Sequence, residues 1–307
     1  MSNVDPFRFE QLRHVSSIKS FSSAWPTWRV AIVQYLGPQP SAQRIFDLGG
    51  HLKDIFKSNV VTGRSNSAVA SGGVAWECLV DWYLNLILYG TNVVCVKAHK
   101  KFRPSAIADA LTIGMSNVQT NSETDLVAFN VPNALVLNNV VQSNSLIQNT
   151  ISARLRLADI NRLILANTGD TDVTVIQCKT NWNDNAQTPM LWDLIYASNY
   201  SFRINNVSVG KNGINPRSFN NFSYSFITVP TSRGPFTLNG MQVMRVKNLT
   251  GGNYWGNPTT QGVASAVGEF FSKNFARHFQ GTVQQSIANN VLAQNGTVLQ
   301  QFLDLTF

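Results

Sequence analysis

Gln177 and Lys179 close the run Val173-Thr174-Val175-Ile176-Gln177-Cys178-Lys179. Their spacing of two places both side chains on one face of a strand and Cys178 on the other. The run is apolar on both faces, as expected of a central strand covered on both sides. A lysine pointing into such a region needs a partner or a task, because an unpaired buried ammonium is costly. Gln177 offers an amide oxygen beside it. Upstream, Asp125 offers a carboxylate at the start of another expected strand, and Glu77 lies on an expected helix that opens after Gly72-Gly73. Hard oxygen donors with an ammonium nearby are what phosphodiester hydrolysis requires. Mg²⁺ takes one or two carboxylates together with water and phosphate oxygens, and it activates a bound water. The ammonium then steadies the charge that grows on the reacting oxygens.

The elements that would position these residues alternate between helical and extended patterns. Helices are expected around Trp28–Leu36 and Ala42–Phe56, with breaks at Pro38 and Pro40. Thr62–Gly73, rich in Ser, Gly and Asn, reads as an exposed loop. Val74–Tyr89 reads as a helix with the apolar stripe Ala75, Cys78, Leu79, Trp82, Leu86 and Tyr89, while Glu77, Asp81 and Asn85 recur every four residues on another face. Asn92–Lys97 is a short β-branched run, and Leu126–Val131 is a strand behind Glu123-Thr124-Asp125. A helix is possible at Leu146–Leu157, followed by an apolar run at Leu163–Ala166. Met190–Ala197 suits a helix, Phe222–Val229 and Met241–Val246 are β-like, and Tyr254-Trp255-Gly256-Asn257 is turn-like. Gly262–Phe279 and Thr282–Ala293 have helical spacing. Helices on both sides of a mixed sheet give a single α/β domain over residues 1–307, with no internal repeat.

At Gly72–Glu77, Thr124-Asp125-Leu126-Val127 and Gln177-Cys178-Lys179 the chain resembles the PD-(D/E)XK nuclease superfamily, in particular its type II restriction endonucleases. The family pattern is an acid in a helix, an acid at a strand start, then acid-x-Lys on the next strand. The resemblance implies a restriction-endonuclease-like mixed β-sheet core flanked by helices. That catalytic core would span about 72–197, with N-terminal helices 1–60 and the C-terminal region 200–307 for DNA binding and dimer contacts. It implies Asp125 and Gln177 as Mg²⁺ ligands, Lys179 as charge stabiliser and Glu77 as an auxiliary acid and metal ligand. It further implies hydrolysis of double-stranded DNA by a homodimer at a short palindromic site, leaving 5′-phosphate and 3′-hydroxyl ends. The chain departs from the pattern in two ways. The acid before x-Lys is Gln177, a weaker ligand for Mg²⁺. No Pro precedes Asp125, which stands 52 residues before Gln177. Asp159, 18 residues before Gln177, is the rival for the metal-binding Asp.

Composition agrees with a polyanionic partner. The 307 residues carry 24 Lys+Arg against 16 Asp+Glu, a net charge of +8 on a chain that is only 13% charged. Such a balance favours nucleic acid or an anionic surface. Lys97, Lys100, Lys101 and Arg103 are candidate phosphate contacts, with His99 as an added donor. Asn181, Asn183 and Gln187, in a segment with Trp182 and Asp184, are candidate readers of base edges. Cys78, Cys95 and Cys178 read as buried core thiols rather than a disulfide or zinc frame. His14, His51, His99 and His278 are widely spaced and suggest no metal cluster. The Met-Ser-Asn-Val-Asp-Pro start lacks a signal-peptide pattern, and no apolar run approaches the roughly 20 residues of a membrane span. A cytoplasmic protein with no small-molecule cofactor is the expectation. Two alternatives stand beside the restriction enzyme: a repair or phage-type nuclease of low specificity, and a non-catalytic binding or shell protein.

Overall fold

A computed structural model describes residues 2–59, 66–115, 117–122, 124–134, 153–180, 207–228, 239–256 and 267–307. The first part comprises α1 (Asp5–Ser16), α2 (Lys19–Leu36), α3 (Ala42–Ser58), α4 (Asn66–Ile87), β1 (Val93–Lys97), α5 (Ser105–Ala110), β2 (Thr112–Met115), β3 (Val118–Asn121) and β4 (Leu126–Asn130). After these come α6 (Ala153–Ala166), β5 (Asp172–Lys179), β6 (Val207–Val209), β7 (Asn221–Thr228), α7 (Met241–Thr250) and β8 (Tyr254–Gly256). The last helices are α8 (Val267–Asn274), α9 (Val283–Asn290) and α10 (Thr297–Asp304).

The main sheet has five strands in the order β1-β4-β5-β7-β8. β1 and β4 pair antiparallel, as do β4 and β5, while β7 and β8 continue parallel to β5. A second, antiparallel sheet has the order β3-β2-β6. The fold is thus mixed α/β, with the larger sheet flanked by helices. β5 lies at its centre and is buried from Asp172 to Cys178. Its two faces feed different cores, as the apolar run requires. Val173 and Val175 pack with Val94, Val127 and Phe129 under α5 and α6. Ile176 and Cys178 pack with Cys95 and Ala128 under α2, α3, α4 and the last three helices.

Two of the tryptophans of this larger core have their polar ends bonded to backbone carbonyls, whereas Trp76 Nε1 is buried without a partner. Trp82 Nε1 donates to the Phe302 carbonyl at 3.0 Å and Trp28 Nε1 to that of Phe56 at 3.4 Å. Where α3 crosses α4, Gly49 admits the Tyr83 ring: a Cβ there would sit 2.7 Å from the Tyr83 hydroxyl.

β1 is an edge strand, yet Val93–Val96 is buried, and its outer rim is closed by side chains. Asn85 of α4 pairs with Cys95 as a neighbouring peptide would: its Nδ2 donates to the Cys95 carbonyl at 2.9 Å and its Oδ1 accepts the Cys95 N–H at 3.3 Å. Arg8 of α1 donates to the carbonyls of Thr91 and Val93 at 3.3 and 2.9 Å. Arg8 is itself fully buried, ion-paired with buried Asp5 at 2.9 Å, and donates to Asn85 Oδ1 at 3.1 Å. Asp81 completes the set, accepting from Asn85 Nδ2 at 3.2 Å and from Gln11 Nε2 at 2.5 Å. The polar spacing Asp81/Asn85 therefore marks a buried network rather than a solvated helix face.

Several expectations change. The Ser/Gly-rich stretch read as a loop is helical from Asn66 onward, because small residues with good neighbours in the chain extend α4. Met241–Val246 is not β-like but part of α7, whose Val243 and Val246, three apart, pack on Phe226 and Tyr254. Tyr254–Gly256, read as a turn, is the edge strand β8 held parallel to β7. The helix placed at Leu146–Leu157 lies, where described, at Ala153–Ala166 and absorbs the apolar run that followed. Met190–Ala197 lies outside the described residues. The sheet also outruns the expected 72–197 core: β7 and β8 come from the C-terminal region, and helices 1–60 are structural walls of the main core. Among the described residues, no helix is long and apolar enough to cross a membrane.

Burial pushes the Asp81 carboxyl up to about 7, outweighing the opposing hydrogen bonds from Gln11 and Cys95. A carboxyl raised in the fold contributes stability below its unfolded value of roughly 3.9 and loses that contribution as pH rises to about 7. Asp81→Asn, with Gln11 turning its unpartnered Oε1 toward the new amide, is expected to raise the melting temperature at pH 8 by a few degrees. The gain should shrink toward pH 5 in thermal melts. A loss of stability at both pH values would mean that a charged Asp81 is required.

Candidate active site

Asp125, Gln177 and Lys179 meet at the carboxyl end of β5. The β4–β5 ladder pairs Leu126 with Ile176, so Asp125 and Gln177 stand opposite each other one step further out. The Asp125 N–H donates to the Ile176 carbonyl at 3.2 Å. Asp125 Oδ2 accepts the Cys178 N–H at 2.7 Å and lies 4.0 Å from Lys179 Nζ. Both side chains of this ion pair are largely enclosed, 12% and 20% exposed.

Gln177 is fully buried, and neither its Oε1 nor its Nε2 has a hydrogen-bond partner. Thr124 Oγ1, next to Asp125, and Thr228 Oγ1, opposite Lys179 on β7, are likewise buried without partners. Each such group costs about 1–3 kcal/mol when left unmade, so a polar group that bonded them would be favoured at this place. In open α/β sheets, ligands are taken at this carboxyl end of the parallel strands.

The amino end of β5 is the opposite case. Asp172 is held by Arg277 Nε at 2.6 Å, His278 Nε2 at 2.8 Å and Asn220 Nδ2 at 2.7 Å. Burial would raise its carboxyl, but these donors hold it below the usual range. That end is internally satisfied.

Glu77 approaches from α4 and is ion-paired with Lys97 at the end of β1, both side chains about five-sixths buried. Burial lowers the Lys97 ammonium, but the charges of Glu77 and Cys78 and the Glu77 hydrogen bond prevail and leave it raised. Lys97 is therefore committed to Glu77 and is not an open phosphate contact. By strand alternation Lys97 faces the α4 side of the sheet, while Gln177 and Lys179 face the other. Cys178 sits between the two ion pairs. Burial, Asp125 and Glu77 raise its thiol well above the ordinary value, with Lys97 and Lys179 pulling weakly the other way. Cys78 and Cys95 are also free and buried, as core thiols should be.

The rival Asp159 is in the middle of α6, 3.1 Å from Arg162. It opens no strand, whereas Asp125 immediately precedes β4. Lys100 and Lys101 are exposed and Arg103 is half-buried in the turn after β1. That turn starts beside the site, since the Ala98 N–H donates to the Asp125 carbonyl at 3.1 Å. Asn181, Asn183 and Gln187 lie outside the described residues.

Among the described residues no three His, Cys, Asp or Glu side chains gather as a metal-holding group. The donor set that fits Mg²⁺ is smaller: the Asp125 carboxylate and the unpartnered Gln177 Oε1, both hard oxygens, with water and phosphate completing the shell. Sequence reasoning did not find Thr228, nor the Glu77–Lys97 pairing, since no spacing rule links a helix acid to the end of the following strand. Thr124 was visible only as the neighbour of Asp125.

No known family model matches the chain, and no curated protein shows significant similarity to it.

The enclosed Glu77–Lys97 pair should be strongly coupled. A double-mutant cycle with Glu77→Gln and Lys97→Met, read by denaturant unfolding, is expected to give a coupling of about 1–3 kcal/mol. A value near zero would place the pair in the class of screened surface contacts.

Proposed function

We propose that this chain is a Mg²⁺-dependent endonuclease that hydrolyses phosphodiester bonds of double-stranded DNA at a specific short site, as restriction enzymes do. In this reading it works as a cytoplasmic homodimer. The observation that carries it is the set of buried, unpartnered polar atoms around the Asp125–Lys179 pair at the end of β5. Two further features support it. Asp125 immediately precedes β4 and Gln177-Cys178-Lys179 closes β5, its ladder partner, the order of elements on which the PD-(D/E)XK resemblance rests. The net charge of +8 favours a polyanion.

Asp125 and Gln177 would hold the cation, and Glu77, tied to Lys97, would act from the far side of the sheet as an auxiliary acid. When bound, Mg²⁺ lowers the pKa of a water molecule and polarises the phosphate. The backbone N–H of Cys178 fixes the Asp125 carboxylate, so the ligand does not have to be ordered when substrate arrives. Lys179, drawn toward Asp125 on the same side, supplies positive charge for the attacking oxygen and the phosphate oxygens. With Gln177 neutral, Asp125 and Lys179 cancel, and an incoming phosphodiester meets less repulsion than two carboxylates would impose. The same substitution weakens the hold on Mg²⁺.

Plasmid incubated with Mg²⁺ tests this. Wild type is expected to give discrete fragments, with Lys179→Ala and Asp125→Asn slower by about 10²–10³-fold. A smear would assign the same chemistry to a nuclease of low specificity. Intact DNA across several substrates and divalent metals would sink the reading and leave a binding protein.

A further inference from the structure

Two histidines far apart in the sequence meet next to the candidate site. His14, in the last turn of α1, and His99, in the turn after β1, have ring centroids 5.6 Å apart. His14 packs on Phe102, whose ring is fully buried, 5.3 Å from the His14 ring and 6.0 Å from that of Phe7, and the Phe102 N–H donates to the His99 carbonyl at 2.9 Å. The Lys101 N–H donates to His99 Nδ1 at 3.3 Å, which leaves Nε2 as the donor of the neutral ring. The turn is pinned on its other side, where the Ser105 N–H donates to Asn161 Oδ1 of α6 at 2.8 Å. This is a built surface and not a loose basic loop.

Cations stand on two elements around it. The turn brings Lys100, Lys101 and Arg103, and α6 brings Arg156, whose charge is felt alongside Glu10 and Arg13 of α1, while Arg13 itself donates from Nε to the Phe307 carbonyl at 2.8 Å. Arg103 and Arg156 each keep a buried Nε with no hydrogen-bond partner. Glu10, 4.0 Å from Arg13, is the acid that tempers this group. A guanidinium N–H left unmade is costly, and a phosphate oxygen is the acceptor whose geometry suits it.

We infer that His14, His99, Lys101, Arg103 and Arg156 form a seat for the phosphodiester backbone of the DNA duplex, placed beside Asp125 so that a strand held there passes the candidate site. The inference rests on the nuclease reading only for the identity of the polyanion.

The seat has a pH signature. Burial lowers the pKa of His14, and His99, Lys101 and Lys97 push it the same way, so the free protein keeps this imidazole neutral. A phosphate at the edges of the rings reverses the sign of the local field and favours the imidazolium. A pKa higher in the complex than in the free protein means that binding takes up protons, and affinity climbs as pH falls. Lys97 does not titrate in this range and stays with Glu77. Glu10 and Arg13 are the other charged groups that α1 carries near it.

The test is binding of a short fluorescent DNA duplex in EDTA, read by anisotropy, so that no cleavage intervenes. Wild type is expected to bind about 10-fold tighter near pH 6 than near pH 8. His14→Gln/His99→Gln should flatten that dependence, and Arg103→Gln/Arg156→Gln should weaken binding about 10-fold at both pH values and lower the salt slope by about 2. Exposed Lys100→Ala/Lys101→Ala, which leaves the buried contacts intact, should lower the slope similarly, and thermal melts check that each variant folds. Unchanged affinity, pH dependence and salt slope in the folded variants would overturn the seat, as would absence of duplex binding by wild type. The two readings separate cleanly. Normal plasmid cutting with no effect of these variants removes the seat and spares the nuclease. Histidine-dependent binding with plasmid left intact keeps the seat and removes the nuclease.

Discussion

An edge strand buried on both faces cannot leave its outward N–H and C=O groups to water, and this constraint organises the first half of the molecule. β1 meets it with side chains: Asn85 pairs with Cys95, and Arg8 takes the carbonyls of Thr91 and Val93. A fully buried guanidinium is tolerable only when its charge and donors are matched, which Asp5 and Asn85 provide. The arrangement also removes an open edge on which another chain could pair. α1, α4 and β1 are locked together as a result, and the position of β1 then sets that of everything beyond Lys97. Lys97 meets Glu77, Ala98 bonds to Asp125, and Asp125 bonds to Cys178 on β5.

β5 is unequal at its two ends. At the amino end Asp172 has its charge met by Arg277, His278 and Asn220 within the fold. At the carboxyl end Gln177, Thr124 and Thr228 hold buried atoms with nothing to bond. The two ends of one strand thus differ in whether their buried polar groups find partners within the fold. The ion pairs on either side of Cys178 fit the same picture, because they keep charged groups at hand without leaving any bare in a low-dielectric setting.

Much of this frame was legible from pattern alone. The helices near Trp28–Leu36 and Ala42–Phe56, and the strands at Val93–Lys97, Leu126–Asn130 and Asp172–Lys179, followed from hydrophobic period. The shared face of Gln177 and Lys179 followed from strand alternation, and Asp125 from its place ahead of a strand. What failed was decided by tertiary contact. Met241–Val246, short and rich in apolar residues, reads as β-like, but Val243 and Val246 are spaced three apart to pack on Phe226 and Tyr254 from a helix. The helical course of Asn66–Gly73 draws on the rest of α4, which composition does not reveal. The four histidines looked scattered because sequence distance says nothing of contact, and the fold brings the His14 and His99 rings within 5.6 Å beside Phe102.

Asn85 occupies the narrowest place in this sequence. Its amide must present an acceptor to the Cys95 N–H and a donor to the Cys95 carbonyl at once, and two further groups, Arg8 and Asp81, fix which end is which. Asp in its place lacks the donor, Leu has neither function, and Gln carries the amide one carbon too far. The neighbouring apolar positions of α4 accept exchange of one hydrocarbon for another of like volume, whereas position 85 has a single chemical solution. Along α4, then, hydrocarbon contacts set volume and the Asn85 amide sets direction.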